Sequence, residues 1–452
     1  MALKQMDALA ALREAAGEVI ETSLCDVQGN WLALVNAEEG KRLAFAAKGE
    51  AALSALWKDV EKEADVKDVH VSVMALNANN AALVRRYVKW TAPTACGTKG
   101  ASIGFSDWLG EADAVVAELF GKRQLKPVLV DFTTEDSEAL QRYFVQAVDT
   151  ATWGVLEEGY KEGYGANAAG LKTEEEIVKA LLYGYSMIGF DCSDKIDLGI
   201  EKLSDEAVDK RFEQFNETFR AALHASYLNA EFKVGTSKIT FTENQLHRIV
   251  LEYGEAIMHI QFIYNSYLKN TPWDIDFELD LSKPGKVLTP QEHYLIGNEL
   301  QRNGIKLSSI CLDPLKDSEA VNDNLQLHCE IADTFGYRLS FKNADIAMND
   351  TAAAMKYLKG KVHFKMNNIL WMSAIELVKA LDADLFGKLC AACGCEATAD
   401  AADRALVLGY RKALNPKEES NVAADMKAFL EAHHAEYAVA IKENVAAKLK
   451  NI

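Results

Sequence analysis

From about Lys99 the chain repeats a strand-then-helix rhythm, and this rhythm restricts its fold more than any other feature. SIGF (102–105) precedes a predicted helix over Glu111 to Phe120, and PVLVDF (127–132) precedes one over Ser137 to Gln146. A helix over Ala151 to Tyr160 leads into GYGANAAG, then a helix over Thr173 to Tyr183 and the strand SMIGFD (186–191). WDIDFELDLS (273–282) follows a long helical stretch from Asp205 to Leu268, and three more strands start at Lys306, Tyr337 and Lys361. Such alternation with short connections predicts a parallel α/β architecture. A closed barrel and an open doubly wound sheet both fit, and no GxGxxG follows a strand, which weighs against a dinucleotide site.

Three regions are expected: an N-terminal α/β elaboration over residues 1–95, the repeating domain over 96–395, and helices over 396–452 packed on its outside. In the first, a turn at Gln28-Gly29-Asn30 and the alternating run VHVSVMAL (69–76) point to strands. The net charge of −18 excludes a surface built for nucleic acid or anionic membranes, because both require basic patches. The N-terminal segment is an amphipathic helix with acidic residues, unlike a signal peptide, and no window of about 18 apolar residues suggests a transmembrane span. Eight cysteines spread through apolar segments suit reduced thiols, so a cytoplasmic location is expected. CAACGC (390–395) has no second paired motif to complete a zinc site, so buried or incidental thiols are the expectation there.

If the sheet closes, chemistry belongs at the C-terminal strand ends. Those ends carry Asp107, Asp191, Asp194, Ser282, Lys283, Lys342, Asp345, His363 and Lys365. In WDIDFELDLS, Asp274, Asp276, Glu278 and Asp280 alternate with apolar residues, which puts four carboxylates on one face. Either those acids face the interior and are paired with cations, or the strand is a solvated edge. Lys342, Lys365 and Lys195 are the cations within sequence reach of such an interior.

These segments also carry a family resemblance. GYGANAAGLKT and FDCSDKID resemble the GADADHLKT and IDPSDHVD motifs of the tagaturonate epimerase family, bacterial enzymes that invert one carbon of a hexuronate. SIGFSDWLG resembles SFGFGDRLG, FELDLSKPGKVLTPQEH resembles EVSVDETDTPTSPLEH, FGYRLSFKNAD resembles FGYKLSIHSGSD, and KVHFKMNNILWMSAIEL resembles VHLKTAGTSWLEAL. The resemblance spans about residues 90–390 and implies a TIM-like barrel. It implies a substrate-binding role for Asp107, Lys172, Asp194, His293 and His363, which keep the family's residue types. Elsewhere the chain departs from the pattern. Asn167, Ala169 and Gly170 stand for Asp, Asp and His; Lys195 and Lys342 stand for His; Ser282 and Lys283 stand for an Asp-Glu pair.

Epimerisation beside a carbonyl needs a base and an acid on opposite faces, and a divalent ion can steady the enediolate. A protonated lysine cannot ligate such an ion and repels it. The resemblance therefore implies a divergent member with no metal cofactor, in which Lys195, Lys283, Lys342, Lys365 and Asp191 form the candidate catalytic set. Three readings stay open: altered chemistry with a lysine of lowered pKa as base or Schiff-base nucleophile, an inactive relative that binds a sugar acid or a protein, and an active hexuronate epimerase. The expected partner is a small sugar acid, and a homo-oligomer is compatible with all three.

Overall fold

The computed structural model describes residues 2–452 except 39, 50–52, 122, 124, 282–287, 316–322, 349, 350 and 451. Helix α1 (Gln5–Ala16) leads into five antiparallel strands, β1 (Glu18–Val27), β2 (Asn30–Ala37), β3 (Gly40–Lys48), β4 (Val60–Val66) and β5 (Val69–Met74). They form one sheet in the order β1-β2-β3-β5-β4. Gln28 and Gly29, both at positive φ, make the tight turn between β1 and β2. Helix α1 buries Ala8, Ala11, Leu12 and Ala15 against one face. The other face packs Leu32, Leu34, Leu43 and Phe45 against α2 (Ala78–Tyr87) and the barrel helix α5 (Phe144–Glu158), whose Trp153 and Leu156 join that cluster.

The alternating region closes. Strands β6 (Ser102–Gly104), β7 (Lys126–Thr133), β8 (Gly165–Leu171) and β9 (Met187–Asp191) are followed by β12 (Asp276–Asp280), β13 (Ser309–Leu312), β14 (Arg338–Phe341) and β15 (Val362–Lys365). All neighbours are parallel, and β15 pairs with β6 to complete an eight-stranded barrel. Helices α3 (Asp113–Phe120), α4 (Thr134–Leu140), α5, α6 (Glu174–Tyr183), α9 (Glu243–Ile263) and α10 (Pro290–Arg302) lie around the strands. Several starts are written in the sequence: Thr173 with Glu176, Thr242 with Gln245 and Thr289 with Glu292 form capping boxes that satisfy the first free amides. An excursion between β9 and β12 holds α7 (Asp205–Phe212), α8 (Glu217–Tyr227) and the hairpin β10 (Phe232–Val234) with β11 (Ser237–Ile239).

Three expectations need correction. GYGANAAG contains a strand, β8, made mostly of glycine and alanine. These residues have weak strand propensity, so the barrel closure and not the local sequence fixes their conformation. The segment from Asp205 to Leu268 is not one helical stretch, because the β10–β11 hairpin interrupts it. The helix placed over Ser137–Gln146 is broken at Gln141, which sits at φ 53° and separates α4 from α5.

The C-terminal helix His434–Leu449 packs against α3 and the helix Ile369–Leu381. Trp108, in the loop after β6, stacks on Tyr410 at a centroid distance of 3.4 Å, tying the C-terminal segment to the strand ends. Among the described residues no helix is long and apolar enough to cross a membrane.

Candidate functional site in the barrel interior

Ion pairs and hydrogen bonds that join strands lying apart in the barrel cross the lumen. Lys365 Nζ on β15 donates to Glu278 Oε1 on β12 at 2.5 Å and lies 3.5 Å from Asp131 Oδ1 on β7. Lys342, just past β14, pairs with Asp280 at the end of β12. Arg338 Nη1 donates to Ser102 Oγ at 2.8 Å, and His363 Nδ1 lies 2.9 Å from the same oxygen. Lower in the barrel, Asp276 accepts the backbone amides of Cys96 and Gly97 at 2.6 and 3.0 Å, which seals the strand N-termini with the segment before β6.

The interior reading of the acidic strand therefore holds for Asp276, Glu278 and Asp280, all buried, while Asp274 precedes the strand and is exposed. Glycine makes room for this layer. A Cβ on Gly104 would collide with Asp131 Oδ2, and one on Gly189 would stand 3.2 Å from Asn167 Oδ1.

Burial alone would neutralise these groups, so the direction of each shift identifies which contacts win. Glu278 overcomes desolvation and is held below the usual carboxylate range chiefly by the Lys365 charge. Ser309 Oγ donates to its other oxygen at 2.8 Å. Asp131 goes the other way: burial raises it more than Lys365 lowers it. Desolvation opposes the charge on Lys365, yet Asp131 and Glu278 drive its pKa well above the ordinary lysine value. Lys342 is raised in the same sense by Asp280, against its own desolvation. His363 is pushed down to about 3 by burial and by the Lys365 charge, so it is a neutral imidazole. Asp131 Oδ2, Asn167 Oδ1 and His363 Nε2 are buried without a protein hydrogen-bond partner, and the first and last of these lie 3.9 Å apart.

The sequence-selected residues divide into four groups. Lys342, Lys365 and His363 meet in the lumen, as described above. Lys172, Asp191 and Asp194 form a second cluster at the ends of β8 and β9. There Lys172 Nζ lies 3.2 Å from Asp194 and 3.6 Å from Asp191. Asp107, Lys195 and His293 do not join either group. Asp107 spends both oxygens on the amides of Gly110 and Ala112, at 2.8 and 2.7 Å, and so fixes the approach to α3. Lys195 turns to Glu255 on α9, at 2.9 Å. His293 is sealed outside the barrel between His328 Nδ1 and the Tyr337 hydroxyl, each at 2.8 Å, where burial holds it well below the usual histidine value. Lys283 and Ser282 lie outside the described residues. Asp345 is not a lumen group either, since it accepts the Asn368 amide at 2.8 Å. Sequence reasoning missed Asp131 and Arg338. Their signal was a charged residue inside an otherwise apolar strand run, PVLVDF and FGYRLSF.

Two chemical consequences follow. A lysine acts as base or Schiff-base nucleophile only when neutral, and both lumen lysines are held protonated, opposite to that requirement. The described donors also do not fit a divalent ion at the lumen strand ends. Asn167, Ala169 and Gly170 offer no anionic ligand, Glu278 and Asp280 are matched by ammonium groups, and among the described residues the ligand atoms that converge on one point lie outside the barrel.

A closed eight-stranded parallel barrel with helices around it places the protein among the TIM-like (β/α) barrels. A profile of the tagaturonate epimerase family matches residues 20–441, and the chain belongs to that family. It is 27% identical over 383 residues to the tagaturonate/fructuronate epimerase of Thermotoga maritima, covering 82% of this chain and 78% of the relative. The glycerol-complexed crystal structure of the fructuronate-tagaturonate epimerase from Cohnella laeviribosi superposes with a TM-score of 0.86 at 25% identity, covering 99% of both chains. The native crystal structure of that enzyme gives 0.85 at the same identity.

Proposed function

We propose that this protein binds a hexuronate-type sugar acid at the strand-end mouth of its barrel and does so without a divalent ion, its lysines supplying the positive charge. The reading rests above all on Lys365, whose ammonium is fully buried between Glu278 and Asp131 and takes the electrostatic role of a cation among the lumen carboxylates. The family's named members act on tagaturonate and fructuronate, which sets the substrate class to test. Lys172 and Lys342 at the strand ends are the groups to meet a sugar carboxylate. The amide of Asn367, just past β15, donates from Nδ2 to Ser106 Oγ at 2.7 Å and suits hydroxyl recognition. With the lumen lysines locked in the charged state, metal-dependent epimerisation is absent in this reading. All eight cysteines are free thiols, which supports a cytoplasmic setting.

The test is direct. The full-length protein is assayed on fructuronate and tagaturonate after chelator treatment, and again with manganese, nickel or zinc supplied. Sugar-acid binding by calorimetry, without turnover in any condition, is the expected result. Turnover that a chelator abolishes and metal restores would overturn it.

A further inference from the structure

Outside the barrel, the excursion between β9 and β12 brings together His224 on α8 with Glu243 and His247 on α9. Glu243 and His247 are four residues apart, so they share one helix face. Asp209 Oδ1 on α7 lies 2.7 Å from His247 Nδ1. A carboxylate there fixes the proton on Nδ1 and leaves the Nε2 lone pair free to ligate. That lone pair points at His224 Nε2, 2.9 Å away. Glu243 Oε1 lies 4.0 Å from His224 Nε2, and all three ligand atoms fall within 4.8 Å of one another. An ion with bonds of about 2.0–2.2 Å holds its ligand atoms roughly 3–4 Å apart, so small side-chain adjustments close the set.

The rings are already positioned. Phe212 stacks on His247 at 3.8 Å and 15°, and lies parallel to His224 at 5.6 Å and 7°. Exposure grades across the site, with the His247 side chain 6% exposed, His224 33% and Glu243 65%. One side therefore opens to solvent, giving an entry path and a free coordination position. Glu243 and Asp209 together balance two positive charges.

We propose that His224, His247 and Glu243 bind one borderline divalent ion of the zinc, nickel or cobalt class, with Asp209 as the positioning residue. Two imidazoles and one carboxylate favour such ions over magnesium or calcium, which prefer all-oxygen sets. The ion links α8 to α9, and through Asp209 to α7, so it clamps the whole excursion. Without an ion, the His224–His247 hydrogen bond satisfies the same atoms, so the chain folds either way.

Chelator-treated full-length protein is titrated with zinc chloride by calorimetry and melted with and without zinc. One zinc per chain is expected, with a zinc-dependent rise in melting temperature. His224→Ala should abolish both; Glu243→Gln should weaken binding at least tenfold; Asp209→Asn should weaken it about 10- to 100-fold, the usual effect of an outer partner. Glu243 is exposed, so Glu243→Gln decides the matter even if His224→Ala folds poorly. No saturable zinc, or one zinc retained with unchanged affinity in both ligand variants, would overturn the site. None of the three residues lies on a barrel strand, so sugar-acid binding should survive in these variants, and each proposal can fail without the other.

Discussion

The barrel interior and the α7–α9 excursion both gather imidazoles and carboxylates, and they neutralise them in opposite ways. In the interior, Glu278, Asp131 and Asp280 meet Lys365 and Lys342, ammonium groups tethered to the chain itself. In the excursion, His224, His247 and Glu243 face one another without an ammonium among them, and the nearest carboxylate behind them orients a ring. A built-in cation already satisfies the buried acids it pairs with. An imidazole pair backed by a carboxylate keeps its lone pairs available. The identity of the counter-charge, more than the number of ligands, separates a filled polar core from a site.

The largest effect should come from removing the interior cation. Lys365→Met leaves Glu278 and Asp131 buried without their partner, and breaking one side of a buried pair costs about 3–5 kcal/mol. Urea unfolding should show that loss, and adding Glu278→Leu should recover much of it, since an apolar pair of similar volume is often neutral. A Lys365→Met protein as stable as the wild type would break the contrast, because some other cation would then have to neutralise those acids. The corresponding change in the excursion, His224→Ala, should alter metal-free stability far less, because that ring is one-third exposed.

A second difference is visible in pH. His363 has its folded pKa depressed to about 3 from an ordinary value near 6.5. Below pH 6.5 the unfolded chain takes up a proton that the folded chain refuses. Stability from this group is therefore present above pH 6.5 and is lost as pH falls toward 3, at about 1.4 kcal/mol per pH unit. Buried acids such as Asp345, raised to about 6, act in the opposite sense, so the clean observable is a difference. Relative to His363→Gln, the wild type should lose stability steadily between pH 6 and 4. Parallel pH profiles for the two proteins would mean that His363 is not the buried neutral ring described here.

Much of this was legible beforehand, and unevenly so. Seven barrel strands announced themselves by apolar or alternating runs, because a buried parallel strand needs such side chains on both faces. The eighth, β8, did not, since Gly165, Ala166, Ala168 and Ala169 give no strand signal and the closure of the barrel imposes their geometry. The acidic alternation in β12 placed three carboxylates on one face correctly, but periodicity cannot say which face is inside; Lys365 crossing from β15 decides that. His293 shows the converse limit. Its motif neighbourhood suggested a ligand-binding role, whereas a helix face turned outward from the lumen seals it against His328 and Tyr337. The excursion's histidines went unnoticed because His224 and His247 sit on different helices 23 residues apart, and only the fold brings their rings together.

The smallest stability effect should carry the most functional information. Lys172 is 43% exposed and its contacts to Asp194 and Asp191 are 3.2 and 3.6 Å, so its ion pairs belong to the class worth about 0–1 kcal/mol. Lys172→Ala should therefore leave the unfolding midpoint nearly unchanged. If its ammonium meets the sugar carboxylate, affinity for tagaturonate or fructuronate should fall about tenfold, the usual order for one charge-assisted contact. Lys365→Met and Lys172→Ala would then separate cleanly, one reporting the interior counter-charge and the other the mouth. A Lys172→Ala protein that binds the sugar acid as tightly as the wild type would move the anion contact to Lys342. Lys342 sits at the end of β14, and its pairing with Asp280 leaves a fifth of the side chain exposed at 22%. Lys342→Ala should then lower affinity and stability together, because the same ammonium would be serving the ligand and the buried acid.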